Sequence, residues 1–133
     1  MQTSPETKTI LVVDDNFSVV TVVQSMLEAA DYKVIAASTA DVAISVAKRN
    51  DVIDLLLIDV VMPDVNGPDL AERILTIHPH AKVLFMSGYP GSELLEQNVH
   101  TAGFLPKPFS SRTLQNAIDR VFAPAIETSA ATR

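Results

Sequence analysis

Between residues 9 and 122 the sequence switches repeatedly between two kinds of hydrophobic spacing, and this alternation restricts the fold more than any other feature. Short apolar or β-branched runs occur at Thr9–Val13, Tyr32–Ala37, Leu55–Ile58, Lys82–Met86 and Phe104–Leu105. Each is followed by a stretch with helical spacing: Phe17–Ala30, a helix begun at Ser38, Pro68–Ile77, Ser92–Val99 and Ser110–Phe122. Ser38 with Asp41 three residues on reads as a short-armed capping box. Leu55–Ile58 is apolar without a break, as expected of a strand buried on both faces. Strands that alternate with helices imply a parallel sheet covered on both sides, because parallel strands need crossovers. A chain of 133 residues holds one such domain. It is expected over residues 9–123, with 1–8 and 124–133 as flexible ends.

Composition narrows the function classes. Hydrophobic residues make up 47% and charged residues 20%, which suits a packed core. There is no Cys, so disulfides, thiolate metal sites and cysteine nucleophiles are excluded. The net charge of −6 argues against direct nucleic-acid binding, which needs clustered Lys and Arg. No apolar run approaches the roughly 20 residues of a membrane helix, and the polar start lacks the apolar stretch of a signal peptide. A cytoplasmic location without membrane insertion is expected.

In open parallel sheets, ligands bind beyond the carboxyl ends of the strands. Asp14–Asp15 follow the first run, Asp59 the third, Ser87–Gly88 the fourth and Lys107–Pro108 the fifth. Singly, each is ordinary turn chemistry. On one rim, three carboxylates, a hydroxyl and an ammonium are a costly arrangement unless something uses it, because crowded carboxylates repel. A divalent cation relieves that repulsion, and an all-oxygen donor set favours Mg²⁺. A carboxylate can also attack phosphorus to give an aspartyl-phosphate, with the metal, Lys107 and Ser87 stabilising the phosphoryl oxygens.

Asp14–Asp15, Asp59 after an apolar run, Met62–Pro63–Asp64 followed by Gly67, Met86–Ser87–Gly88–Tyr89 and Lys107–Pro108–Phe109 together resemble the receiver domain of bacterial two-component response regulators. The resemblance spans about residues 8–122. It implies an α/β, flavodoxin-like (βα)5 sandwich with strand order 2-1-3-4-5. It implies Asp59 as phosphoacceptor, and Asp14, Asp15, Asp59 and the Val61 carbonyl as ligands of Mg²⁺ or Mn²⁺. Ser87 and Lys107 would assist catalysis, with the Lys107–Pro108 bond cis. Ser87 and Phe104 would form the switch that remodels the surface of the fourth helix, fifth strand and fifth helix. The implied partner is a histidine kinase or histidine phosphotransfer domain, and phosphorylation-dependent homodimerisation is a further expectation. The short Ala/Ser/Thr-rich end is similar to receivers of hybrid sensor kinases.

Val61 and Tyr89, two residues after Asp59 and Ser87, flank the phosphoryl group in such proteins and are expected to slow its hydrolysis. In the first helix, the spacing places Val19, Val22, Val23, Met26 and Ala30 on the core face. Phe17 and Val20 are then exposed and form part of a docking face for the histidine donor. His78 and His80, a loop pair without a third ligand, read as solvated, and none of His78, His80 and His100 sits in the four-helix setting a phosphodonor His requires. Two other functions fit less well. A haloacid-dehalogenase-type phosphohydrolase needs an acid/base Asp two residues after its nucleophile, where this chain has Val61. A flavin or nucleotide binder needs a Gly- and hydroxyl-rich cradle after the first strand, where this chain has Asp14–Asp15.

Overall fold

The computed structural model describes residues 7–63, 65–88 and 103–123. Its elements follow the alternation in the sequence: β1 (Thr9–Val13), α1 (Phe17–Ala29), β2 (Lys33–Ala37), α2 (Ala40–Arg49), β3 (Leu55–Asp59), α3 (Gly67–Ile77), β4 (Lys82–Ser87), β5 (Gly103–Pro106) and α4 (Ser111–Val121). The helix expected at Ser92–Val99 lies outside the described residues, as do Tyr89 and His100.

The strands form one parallel sheet in the order β2-β1-β3-β4-β5. β1 and β3 are buried along their whole length, which accounts for their unbroken apolar sequences. Alternate side chains leave opposite faces of the sheet. Leu11, Val13, Leu56, Ile58, Val83 and Phe85 pack under α2 and α3. Ile10, Val12, Leu55, Leu57, Leu84, Met86 and Leu105 pack under α1 and α4. Two cores therefore share one sheet, and every strand must end at the same rim.

Helix starts are set by capping side chains. Asn16 Oδ1 accepts from the N–H groups of Ser18 and Val19 at α1, Asn66 Oδ1 from Asp69 at α3, and Ser110 Oγ from Thr113 at α4. The second helix corrects the sequence reading. Its cap is Thr39, not Ser38: Thr39 Oγ1 accepts from Val42 N–H at 3.1 Å, and Ala40 is the first helical residue. The neighbouring hydroxyls at 38 and 39 carry nearly the same signal, and the one in extended conformation at the helix mouth takes the role.

His78 is a second correction. It is buried rather than solvated, and its Nε2 lies 2.8 Å from the Ala47 carbonyl oxygen. The partner is an acceptor, so the ring nitrogen donates. Ala47 O is one of the last four carbonyls of α2, which have no partner within their own helix. The end of α3 thus caps the end of α2. His80 is exposed.

At the opposite edge of the sheet from the strand ends, Asp54 Oδ2 accepts the Thr9 N–H at 2.8 Å, holding β1 against the start of β3. Among the described residues, no helix is long and apolar enough to cross a membrane.

Candidate functional site

The sheet brings Asp14, Asp15, Asp59, Ser87 and Lys107 to one rim. β1 ends one residue before Asp14, β3 ends on Asp59 and β4 ends on Ser87. Lys107 follows β5 directly, and its N–H donates to the Ser87 carbonyl at 2.8 Å, which keeps β5 in register with β4 up to the rim. The Lys107–Pro108 peptide bond is cis, as the sequence reading expects.

Carboxylate oxygens of Asp14, Asp15 and Asp59 all lie within 4.8 Å of one another. Asp14 is fully buried. Its Oδ1 accepts the Asn16 N–H at 2.9 Å and its Oδ2 accepts from Lys107 Nζ at 2.7 Å. Lys107 Nζ is also 3.6 Å from Asp59 Oδ1. Asp15 is exposed. A cleft of about 590 Å³ opens over these groups, lined also by Asn16, Val61, Met62, Pro63 and Gly88.

One ammonium faces three carboxylates, so the cluster carries surplus negative charge. The effect falls on Asp59. Burial, then the charge of Asp14, push its carboxyl up from 3.8 to about 6, against the pull of Lys107 and a hydrogen bond from the Val61 backbone N–H; Asp15 adds a smaller upward push. The donor set consists of oxygens alone, converges on one point and is short of positive charge. It therefore fits a hard divalent cation such as Mg²⁺.

The rim depends on one close backbone approach. Gly67 N–H donates to Val60 O at 2.7 Å, and a Cβ at position 67 would collide with Asp59 O and lie 2.9 Å from Val60 Cα. α3 can start against the end of β3 only because residue 67 has no side chain.

Asn16 belongs to the site, although the motif reading passes over it. It caps α1, lines the cleft and anchors Asp14 through its N–H. Its signal is legible: an Asn directly before a helical apolar stretch. Phe104 lies on β5 beside Phe85 and is 36% exposed.

The face of α1 differs from the sequence reading. Val20, Val23 and Leu27 are buried, whereas Val22 is 51% exposed and Phe17 76%. Val20 is only 5% exposed, so it is core and cannot be part of a docking face. Val19, Val20, Val22, Val23, Met26 and Leu27 leave two overlapping apolar stripes about 80° apart on the helix, and spacing alone does not choose between them. The contact of α1 with the sheet and α4 selects the stripe holding Leu27. The second stripe is half-buried: Val19 and Met26 still pack against this core, as expected from the sequence, and Val22 is exposed. Together with Pro108 and Phe109 it lines a groove of about 280 Å³ that starts at Lys107 and runs along Ser18, Val19, Val22 and Met26.

The sequence matches the response regulator receiver domain family over residues 10–119. It is 32% identical over 113 residues to the sensor kinase CckA of Brucella abortus, covering 83% of this chain and 12% of that protein's length. It is 34% identical over 108 residues to the transcriptional regulatory protein CpxR of Escherichia coli, covering 79% of this chain and 45% of CpxR. The chain therefore spans less than half the length of these curated relatives. Among solved structures, the chemotaxis protein CheY4 of Vibrio cholerae superposes with a TM-score of 0.82 at 26% identity, covering 88% of this chain and all of CheY4.

Proposed function

Because the chain belongs to the response regulator receiver domain family, a family of two-component signalling phosphoacceptors, we propose that Asp59 accepts a phosphoryl group from the phosphohistidine of a histidine kinase or histidine phosphotransfer domain. Asp14, Asp15, Asp59 and the Val61 carbonyl would hold Mg²⁺ or Mn²⁺ beside it. The observation that carries this reading is the convergence of three carboxylates within 4.8 Å around a single ammonium. The phosphohydrolase alternative has no support: the family match is to receivers, and position 61 is Val.

In the transfer step, a carboxylate oxygen of Asp59 attacks phosphorus. The O–P bond forms as the P–N bond breaks, and the imidazole leaves with the electron pair. With its carboxyl raised to about 6, Asp59 is still largely ionised at neutral pH and more basic than an ordinary Asp. A bound divalent cation would supply the charge that offsets the cluster and polarises the phosphoryl oxygens. Lys107, whose Nζ is 3.6 Å from Asp59 Oδ1, would pair with a phosphoryl oxygen, and the Ser87 hydroxyl at the end of β4 would donate to another. Val61 at the rim, with Tyr89, would impede the water that hydrolyses the product.

Phosphorylation adds charge and acceptor oxygens. Ser87 would move toward them, and the Phe104 ring would turn inward into the space released, shifting a pre-existing equilibrium of the surface around β5 and α4. Phe17 and Val22, rather than Phe17 and Val20, form the apolar docking face for the donor, because they are the exposed α1 residues next to the rim.

The test is labelling by acetyl phosphate, followed by intact mass. Wild type should gain one base-labile phosphoryl group with Mg²⁺ and none with excess chelator, and Asp59→Asn should gain none. Equal labelling of Asp59→Asn would refute the assignment.

A further inference from the structure

Asn66 directly precedes Gly67, and no other asparagine of the chain has a glycine after it. The side-chain amide carbon of an asparagine lies within reach of the next backbone nitrogen. A glycine at that next position has no side chain to obstruct the approach. Asn66 is also exposed, so water has access to it.

The fold holds this pair in check. Asn66 is extended, with φ −79° and ψ 155°, and its Oδ1 accepts the Asp69 N–H at 2.8 Å. Gly67 N–H donates to Val60 O at 2.7 Å. The attacking nitrogen and the amide it would attack are therefore each tied to a different partner. To react, the Asn66 side chain must leave the mouth of α3 and the Gly67 N–H must leave Val60. Both happen when the first turn of α3 opens, and such local openings cost less than global unfolding.

We propose that Asn66 is a site of spontaneous deamidation, released by opening of the α3 start, and that its isoaspartyl product disables the rim that carries Asp59. Gly67 N bonds to Asn66 Cγ and its proton passes to the departing amide; the Cγ–Nδ2 bond breaks and ammonia leaves. Water then opens the cyclic imide at one of its two carbonyls. Opening at Cγ gives an ordinary aspartate, which keeps the main-chain path and a capping oxygen. Opening at the main-chain carbonyl gives an isoaspartate, in which the chain runs through the side chain and is one carbon longer. That extra carbon enters where Gly67 lies against Asp59 O and Val60 Cα, a contact too close even for a Cβ. The end of β3 and the start of α3 can then no longer fit together as they do, and Asp59 is displaced with them.

The experiment ages the full chain at mildly alkaline pH, in native buffer and in urea, and follows conversion by peptide mass and electron-transfer fragmentation. Asn66 should convert before the other asparagines in both, about tenfold or more slowly in native buffer than in urea. Acetyl phosphate labelling of the aged native protein should fall in proportion to its isoaspartate content. Repair of the isoaspartate to aspartate by a protein isoaspartyl methyltransferase should restore the labelling. Asn66→Ser keeps a capping hydroxyl and, aged in parallel, should keep its labelling. Equal rates in native buffer and urea would overturn the gating, native conversion only at other asparagines would overturn the site, and full labelling of the isoaspartyl form would overturn its effect. The loss of labelling rests on the phosphoacceptor reading above, whereas the conversion does not. Fresh wild type that takes no phosphate would refute that reading, and the mass measurement would still decide the site.

Discussion

Lys107 Nζ lies 2.7 Å from Asp14 Oδ2 and 3.6 Å from Asp59 Oδ1, so the ammonium sits closer to the proposed metal ligand than to the proposed phosphoacceptor. The Asp14 side chain is 1% exposed and Lys107 20%. A carboxylate this buried is tolerable only with a partner, and removing one member of such a pair costs about 3 kcal/mol because the other stays buried and charged. Lys107 and a metal ion would also compete for the same carboxylates.

Two consequences can be measured on Lys107→Met. In urea without divalent cations, the variant should unfold about 3 kcal/mol more easily than wild type. Calorimetric titration with Mg²⁺ should give tighter binding than in wild type, since the competing cation is gone, and Mg²⁺ should recover part of the lost stability. Unchanged stability and weaker Mg²⁺ binding would together show that Lys107 does not neutralise the cluster.

Asp59 makes the metal-free protein sensitive to pH. Its carboxyl is raised from 3.8 to about 6 in the folded state, so between those values the native chain holds a proton that the unfolded chain has released. Stability contributed by this group therefore falls as pH rises from about 4 to about 6 and stays low above that. A shift of this size corresponds to roughly 3 kcal/mol. Asp59→Asn removes the titration, so without divalent cations the variant should be more stable than wild type at pH 7 by up to this amount. The difference should vanish near pH 4. Urea midpoints across pH 4–7 would check it, and a gap that widened toward low pH would contradict the assignment.

Gly67 controls the same site from the other side. A methyl group there would collide with Asp59 O and meet Val60 Cα at 2.9 Å, and both are backbone atoms that cannot swing away. Gly67→Ala should cost about 2–3 kcal/mol through displacement of the α3 start. Because the displaced backbone carries Asp59, Mg²⁺ affinity should fall with it. Loss of stability with unchanged Mg²⁺ binding would mean that the loop adapts without moving the carboxylate.

What could be read from the sequence follows from how many solutions each signal allows. β1 and β3 are buried on both faces, so their apolar runs have one reading, and the residues after them reach the rim whatever the details of the helices. Asp14, Asp15 and Asp59 were legible for that reason, whereas Ser87 and Lys107, at the ends of β4 and the largely unburied β5, were legible through the motifs that hold them. In α1 the apolar residues form two stripes, and only the packing of Leu27 against the sheet separates buried Val20 from exposed Val22. Thr39 and Ser38 differ by one position with the same hydroxyl. His78 was illegible for a different reason: its partner, Ala47, is 31 residues away and offers a backbone carbonyl, which leaves no trace in residue type.

That contact supports a last prediction. The Ala47 carbonyl belongs to the final turn of α2, where Val46 O already receives the Asn50 N–H and side-chain amide, while His78 Nε2 serves Ala47 O. Replacing His78 by Phe fills the space but removes the donor, leaving a carbonyl between α2 and α3 without its partner. This should cost about 1–3 kcal/mol. His78→Gln can still donate from its amide and should recover part of the loss. Amide hydrogen exchange would localise the effect: the last turn of α2 and the end of α3 should lose protection in His78→Phe, while β1 and β3 change only with global stability. The acceptor rim lies at the other end of the strands, so acetyl phosphate labelling of a folded His78→Phe should match wild type. Equal protection of α2 in both proteins would show that this side chain fills space without tying the two helices together.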